Sequence, residues 1–229
     1  MPENLSFWDH LDELRSALLK SLAAWFVCSV AAFCCKDQLF ALLMRPLGEQ
    51  RLINIDVTAQ FMTHVEVSLC IGFVAALPLI IWWLYGFVAP ALYQSEKRYS
   101  ITFLIVSVLL FVAGVALNYL LIFPLSFRFL SMYEVSPLVV NRISLSSYFS
   151  LLVVLSVLMG LLFEVPVLTW LLSKIGILRR EHLKRYRGHV FVAILIVAAV
   201  ITPTGDPFTL MLVTLPVYLL YELSILIIR

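Results

Sequence analysis

The chain has 229 residues, of which 62% are hydrophobic and 13% charged, with 16 Lys and Arg against 14 Asp and Glu. Those proportions exclude a water-soluble globular domain, so the fold has to be argued against lipid as solvent. The net charge of +2 says little by its size; its placement along the chain says more.

The first 14 residues carry Glu3, Asp9, Asp12 and Glu13 and no Lys or Arg, the reverse of a secretory signal, so no cleavable signal is expected. Ser6 followed by Asp9 fits a capping box that starts a helix near Phe7. Phe7, Leu11, Leu14 and Leu18 then share one stripe, which predicts an interfacial helix running into the first span. Apolar runs follow at about 16–35, 65–90, 101–127, 147–173, 189–202 and 208–228. The fifth has 14 residues, about 21 Å as a helix, which is short for a bilayer. It is kept as a span because the turn Thr202-Pro203-Thr204-Gly205-Asp206 lets the sixth run return at once. Pro78, Pro90, Pro124, Pro166 and Pro216 lie within or at the ends of these runs, and each can bend a helix.

The expectation is therefore one all-α membrane domain over 1–229, with six transmembrane helices, several proline-bent, in a concave bundle. Loop 36–64, which holds Pro46, and loop 128–146 are long enough for an extracytoplasmic cap. Eleven of the 16 cations fall at the N-terminus, in loops 91–100 and 174–188 and at Arg229, which puts both termini in the cytoplasm. Trp82, Trp83, Tyr85 and Tyr93 read as interfacial anchors near the end of the second span.

Cys28, Cys34, Cys35 and Cys70 lie in or beside spans and read as small apolar side chains, and no two of the four histidines have metal-ligand spacing. A Walker-type glycine loop, HExxH and GxSxG are all missing from the chain. No enzymatic activity, cofactor, metal or nucleic-acid partner is expected, and energy for any transport has to come from elsewhere.

Three sets of acids remain. Asp9 and Glu13 are four apart on one helical face, a repelling pair or a solvated face with local ion pairs. Glu96 is the sole acid of loop 91–100, beside Lys97 and Arg98, where a weak surface ion pair is the plain reading. Together, Glu13 and Glu96 set two carboxylates on an otherwise basic face, an arrangement suited to guanidinium groups. The third set lies in or beside the membrane. Glu164 is the only formal charge between Arg142 and Lys174, roughly 15 Å from Lys174 along a helix, with Pro166 beside it. A carboxylate there costs at least ~2.5 kcal/mol and marks a functional position by default. Asp206 can cap the sixth helix, and Glu222 lies near the membrane boundary. The residues alone leave three readings open: a receptor for guanidinium-bearing peptides, a proton-coupled transporter with Glu164 as proton carrier, and an assembly scaffold whose polar site packs a partner helix.

Five motifs in order carry a resemblance. They are His10-Leu11-Asp12-Glu13-Leu14-Arg15, Phe87 to Tyr93, Glu96-Lys97-Arg98, Phe163-Glu164-Val165-Pro166 and Thr202 to Asp206; Pro46 and Ile122 to Phe127 fit as well. In this order and spacing the chain resembles TatC, the multispanning subunit of the twin-arginine protein translocase. The resemblance implies a multi-pass protein of the bacterial inner membrane that binds paired-arginine signal peptides on folded cargo. It implies partnership with the single-span proteins TatA and TatB, homo-oligomers in the complex, and use of the proton-motive force. It places signal-peptide recognition on Glu13 and Glu96, an intramembrane polar contact on Glu164, and further functional roles on His10, Leu14, Arg15, Pro46, Phe87 and Asp206. Two departures stand out: Glu66, where many relatives carry a basic residue, and Gln94-Ser95 before Glu96.

Overall fold

The structure, a computed structural model, describes residues 7–48, 51–88, 100–133, 136, 142–174, 176–202 and 205–228. Apart from one isolated bridge, their regular structure is helical: α1 (Phe7–Cys34), α2 (Lys36–Leu43), α3 (Ala59–Val88), α4 (Ser100–Leu117), α5 (Phe123–Met132), α6 (Leu145–Phe163), α7 (Val165–Lys174), α8 (Arg180–Arg185), α9 (Arg187–Ile201) and α10 (Pro207–Ile227). Among the described residues, five stretches are long and apolar enough to cross a membrane: Leu11–Cys34, Ala59–Phe87, Ile101–Met132, Leu145–Lys174 and Pro207–Ile227. The sixth apolar helix, α9, is shorter, as its sequence run implies. The near end of the bundle holds the start of α1 and the finish of α3 and α10. The far end holds the α1–α3 and α5–α6 connections.

Three helices, α3, α4 and α6, pack on one another at the centre. α1 lies along α3, α3 packs on α4 and α6, and α10 joins α5, α6 and α7 to α9. Lipid is as apolar as leucine, so packing between spans relies on small residues that let backbones approach. Gly72 of α3 meets the Ser29 backbone of α1, Gly114 of α4 meets Met159, and Gly160 of α6 lies under the Phe111 ring; a Cβ at any of the three would collide. The Leu11–Leu18 stripe stays off this helix seam, as an interfacial helix requires. Leu11 and Leu18 point outward, and the face of α1 that is buried carries Ala17, Ser21, Ser29 and Ala32. Trp25 adds a polar tie to α3, donating from Nε1 to the Leu69 carbonyl at 2.8 Å. Tyr85, expected at the interface, is buried against Phe103 because α4 covers that face of α3.

The prolines act unequally. Pro166 ends the α6 ladder: Glu164 turns back to the Leu161 carbonyl, and α7 resumes with the Leu168 amide on the Glu164 carbonyl. A wide π turn, Asn118–Ile122, precedes Pro124 and absorbs the residue that its ring displaces. Pro78 and Pro216 sit inside helices that continue past them, since neighbours packed along α3 and α10 tolerate one lost hydrogen bond. Pro90 lies outside the described residues.

At the far end the described parts of the two long loops meet and cap the bundle. Ile53 donates to the Ile143 carbonyl and accepts from the Leu145 amide, both at 2.9 Å, a single rung tying one loop to the other. The last carbonyls of α2, which a helix end leaves without partners, receive tyrosine hydroxyls: Tyr119 at Leu42 (2.6 Å) and Tyr148 at Leu43 (2.9 Å). Tyr148 also packs edge-on against Phe123, Phe127 and Phe149, which join the cap to the main core.

Candidate functional site

At the near end, residues spaced three and four apart place one face of α1 against one face of α3. Glu13, Ser16, Ala17 and Lys20 of α1 and Trp83, Gly86 and Phe87 of α3 line a cleft of about 220 Å³. Buried Ala17 lets the helices approach, while exposed Glu13 and half-buried Trp83 and Phe87 form the walls. A carboxylate beside aromatic faces suits a guanidinium, which pairs with the one and stacks on the other. Glu13 and Lys20 lie two turns apart on the same wall, so the cleft carries opposite charges at its two ends.

The motif around Glu13 divides by helical phase. Leu14 is half-buried and Arg15 exposed, and neither lines the cleft. The side chain of His10, like all of Glu96, lies outside the described residues. Phe87 is the candidate that the structure brings to Glu13.

The second site is the α6–α7 break. Pro166 interrupts the ladder, and Glu164, as the last residue before α7, turns toward α4, where buried Ser107 donates to Oε2. The other oxygen, Oε1, is screened from solvent and has no partner among the described residues. Beside it, Thr102, Phe103, Val106, Pro166, Val167 and Trp170 help line a groove of about 270 Å³ that is almost wholly apolar. An ionisable acceptor half used by the protein, next to an apolar groove, is equipped to receive a donor from another helix.

Pro46 and Asp206 belong to the far end, beyond the membrane span from Glu13. Half-buried Pro46 starts a 3-10 turn, Arg45–Leu47, within the cap. Asp206 caps α10, accepting the Thr209 amide at 2.7 Å. Glu222 is held by Arg187 at 2.8 Å and Tyr218 at 3.0 Å, a tie between α9 and α10. Glu66 lies on α3, half-buried.

Sequence reasoning missed Ser107, which sits 57 residues from its partner. It also missed buried Asn118, whose amide donates to Ser156 at 2.9 Å across the α4–α6 seam. An asparagine in an apolar run was the available signal.

The comparisons with known proteins agree with this architecture. The family described as "Sec-independent protein translocase protein (TatC)" matches residues 9–216. A Sec-independent protein translocase protein TatC from Carboxydothermus hydrogenoformans is 30% identical over 96% of this chain and 91% of its own. The namesake from Deinococcus radiodurans is 34% identical over 97% and 85%. Two crystal structures of the twin-arginine translocase receptor TatC, each 33% identical, superpose with TM-scores of 0.83 and 0.87. The first match covers 95% of this chain and 96% of that one; the second, in DDM, covers 96% and 99%. The chain belongs to the TatC family of Sec-independent protein translocase proteins and is a multi-pass protein of the bacterial inner membrane.

Proposed function

We propose that this protein is the signal-peptide receptor and core subunit of a twin-arginine translocase, with both termini in the cytoplasm. The cleft at Glu13 is the observation that carries the reading: an exposed carboxylate framed by Trp83 and Phe87 at the near end of the bundle. One arginine of the pair binds Glu13, and Glu96, by the family resemblance, binds the other. Folded cargo stays outside, and the apolar part of the signal follows α1 and α3 into the bilayer. Glu164 serves as a deeper contact whose free oxygen accepts a polar group from the inserted signal or from a TatA- or TatB-type helix. Transport draws on the proton-motive force, and the subunit works as a homo-oligomer within the complex.

The test is peptide binding to the purified protein. Glu13→Ala and Glu96→Ala are each expected to weaken a twin-arginine peptide ten- to a hundredfold, the loss of a charge-assisted hydrogen bond of about 1.5–3 kcal/mol. A twin-lysine peptide is expected to bind poorly to the unchanged protein, since an ammonium cannot engage a carboxylate bidentately. Full binding by both variants refutes the assignment. Crosslinking from positions 13, 96 and 164, with and without the single-span partners, separates the two contacts.

A further inference from the structure

A cavity of about 560 Å³ opens at the far end, remote from the Glu13 cleft. It is a notch between the end of α5 and the start of α6. Phe127, Leu130 and Leu151 form its apolar walls, and Arg142, Ser146 and Ser147 stand around its mouth. Two membrane-crossing stretches meet there, one finishing at Met132 and the other starting at Leu145, so the mouth lies at the bilayer boundary. The donors around it are available. Arg142 is exposed and forms no ion pair with a described residue, and Ser146 is exposed beside it. Ser147 accepts the Ser144 hydroxyl at 2.8 Å, which leaves its own proton to donate. Ser150 of α6 adds a further hydroxyl to the lining.

An exposed guanidinium, without an ion pair among the described residues, and two hydroxyls above apolar walls call for a ligand with an anionic head and a hydrocarbon tail. At the depth of a membrane boundary the abundant anion is the lipid phosphodiester, which guanidinium binds bidentately. We infer that this notch binds one anionic glycerophospholipid of the far-end leaflet. Arg142, Ser146 and Ser147 hold its phosphate, and one acyl chain lies along Phe127, Leu130 and Leu151. Arg142 immediately precedes the Ile143 carbonyl that pairs with Ile53, so the lipid steadies the rung that joins the two halves of the cap.

The experiment titrates delipidated full-length protein in detergent with dioleoyl-phosphatidylglycerol and counts bound lipid by native mass spectrometry. Glycerophosphoglycerol and inorganic phosphate serve as tail-free probes. One lipid is expected to persist on the unchanged protein. Arg142→Gln is expected to weaken it about tenfold, the loss of a charge-assisted bond. Ser146→Trp, which blocks the mouth without touching the charge, is expected to remove it while thermal unfolding stays unchanged. Equal retention by Arg142→Gln means unspecific surrounding lipid and overturns the proposal. So does persistence of the bound lipid in Ser146→Trp, or a tail-free probe that competes at the lipid's own concentration.

Discussion

Glu13 stands in an open cleft between α1 and α3, within reach of water, whereas Glu164 is wedged at a helix break among α4, α6 and α7 with one oxygen on Ser107. The helices around them differ in the same sense. Gly86, beside Glu13, has open space where a Cβ would go, while Gly114, on the seam that carries Glu164, has none. One carboxylate is therefore exposed on the surface of two helices, where solvent and peptide can reach it. The other is held by packing, which fixes its direction and leaves a single acceptor to offer. Recognition of a mobile peptide fits the first environment, and a directed contact with an ordered helix fits the second.

Each side of that contrast can be broken separately. Gly114→Leu is expected to have the largest effect, destabilising the protein by about 1–3 kcal/mol as α4 is forced from α6. Gly86→Ala is expected to stay within about 0.5 kcal/mol. Thermal unfolding in detergent reads both, and equal losses would erase the distinction between packed seam and open cleft. Ser107→Ala is expected to cost about 1 kcal/mol by taking the donor from Glu164, with twin-arginine peptide affinity unchanged. A drop in that affinity would show the two carboxylates to be one site. Trp83→Ala is the smallest change, expected to weaken the peptide about two- to fivefold through loss of an aromatic face worth roughly 0.5–1 kcal/mol, with unfolding unaltered.

Part of the candidate site was legible in the chain. Glu164 announced itself as a lone charge beside Pro166, and both parts of that reading stand: the break occurs there, and the carboxylate faces protein. The capping role offered for Asp206 is the one it performs. Leu11 and Leu18 lie outward as the stripe implied, but the packed face of α1 was not legible, because in lipid it is marked by small residues such as Ala17 and Ser21. Tyr85 was misplaced because only the position of α4 decides whether the end of α3 is covered.

What the sequence determined by itself is the set of spans, since runs of apolar residues long enough to cross a bilayer leave the backbone no option but helix. It also determined where two of them yield, because a proline ring removes a donor wherever it stands. The tertiary structure alone decided which groups meet. Ser107 on Glu164, Tyr148 on the Leu43 carbonyl and Ile53 on Ile143 join residues 57, 105 and 90 positions apart. Such pairs depend on which helix faces are small enough to approach, a property of two surfaces together that neither segment carries alone.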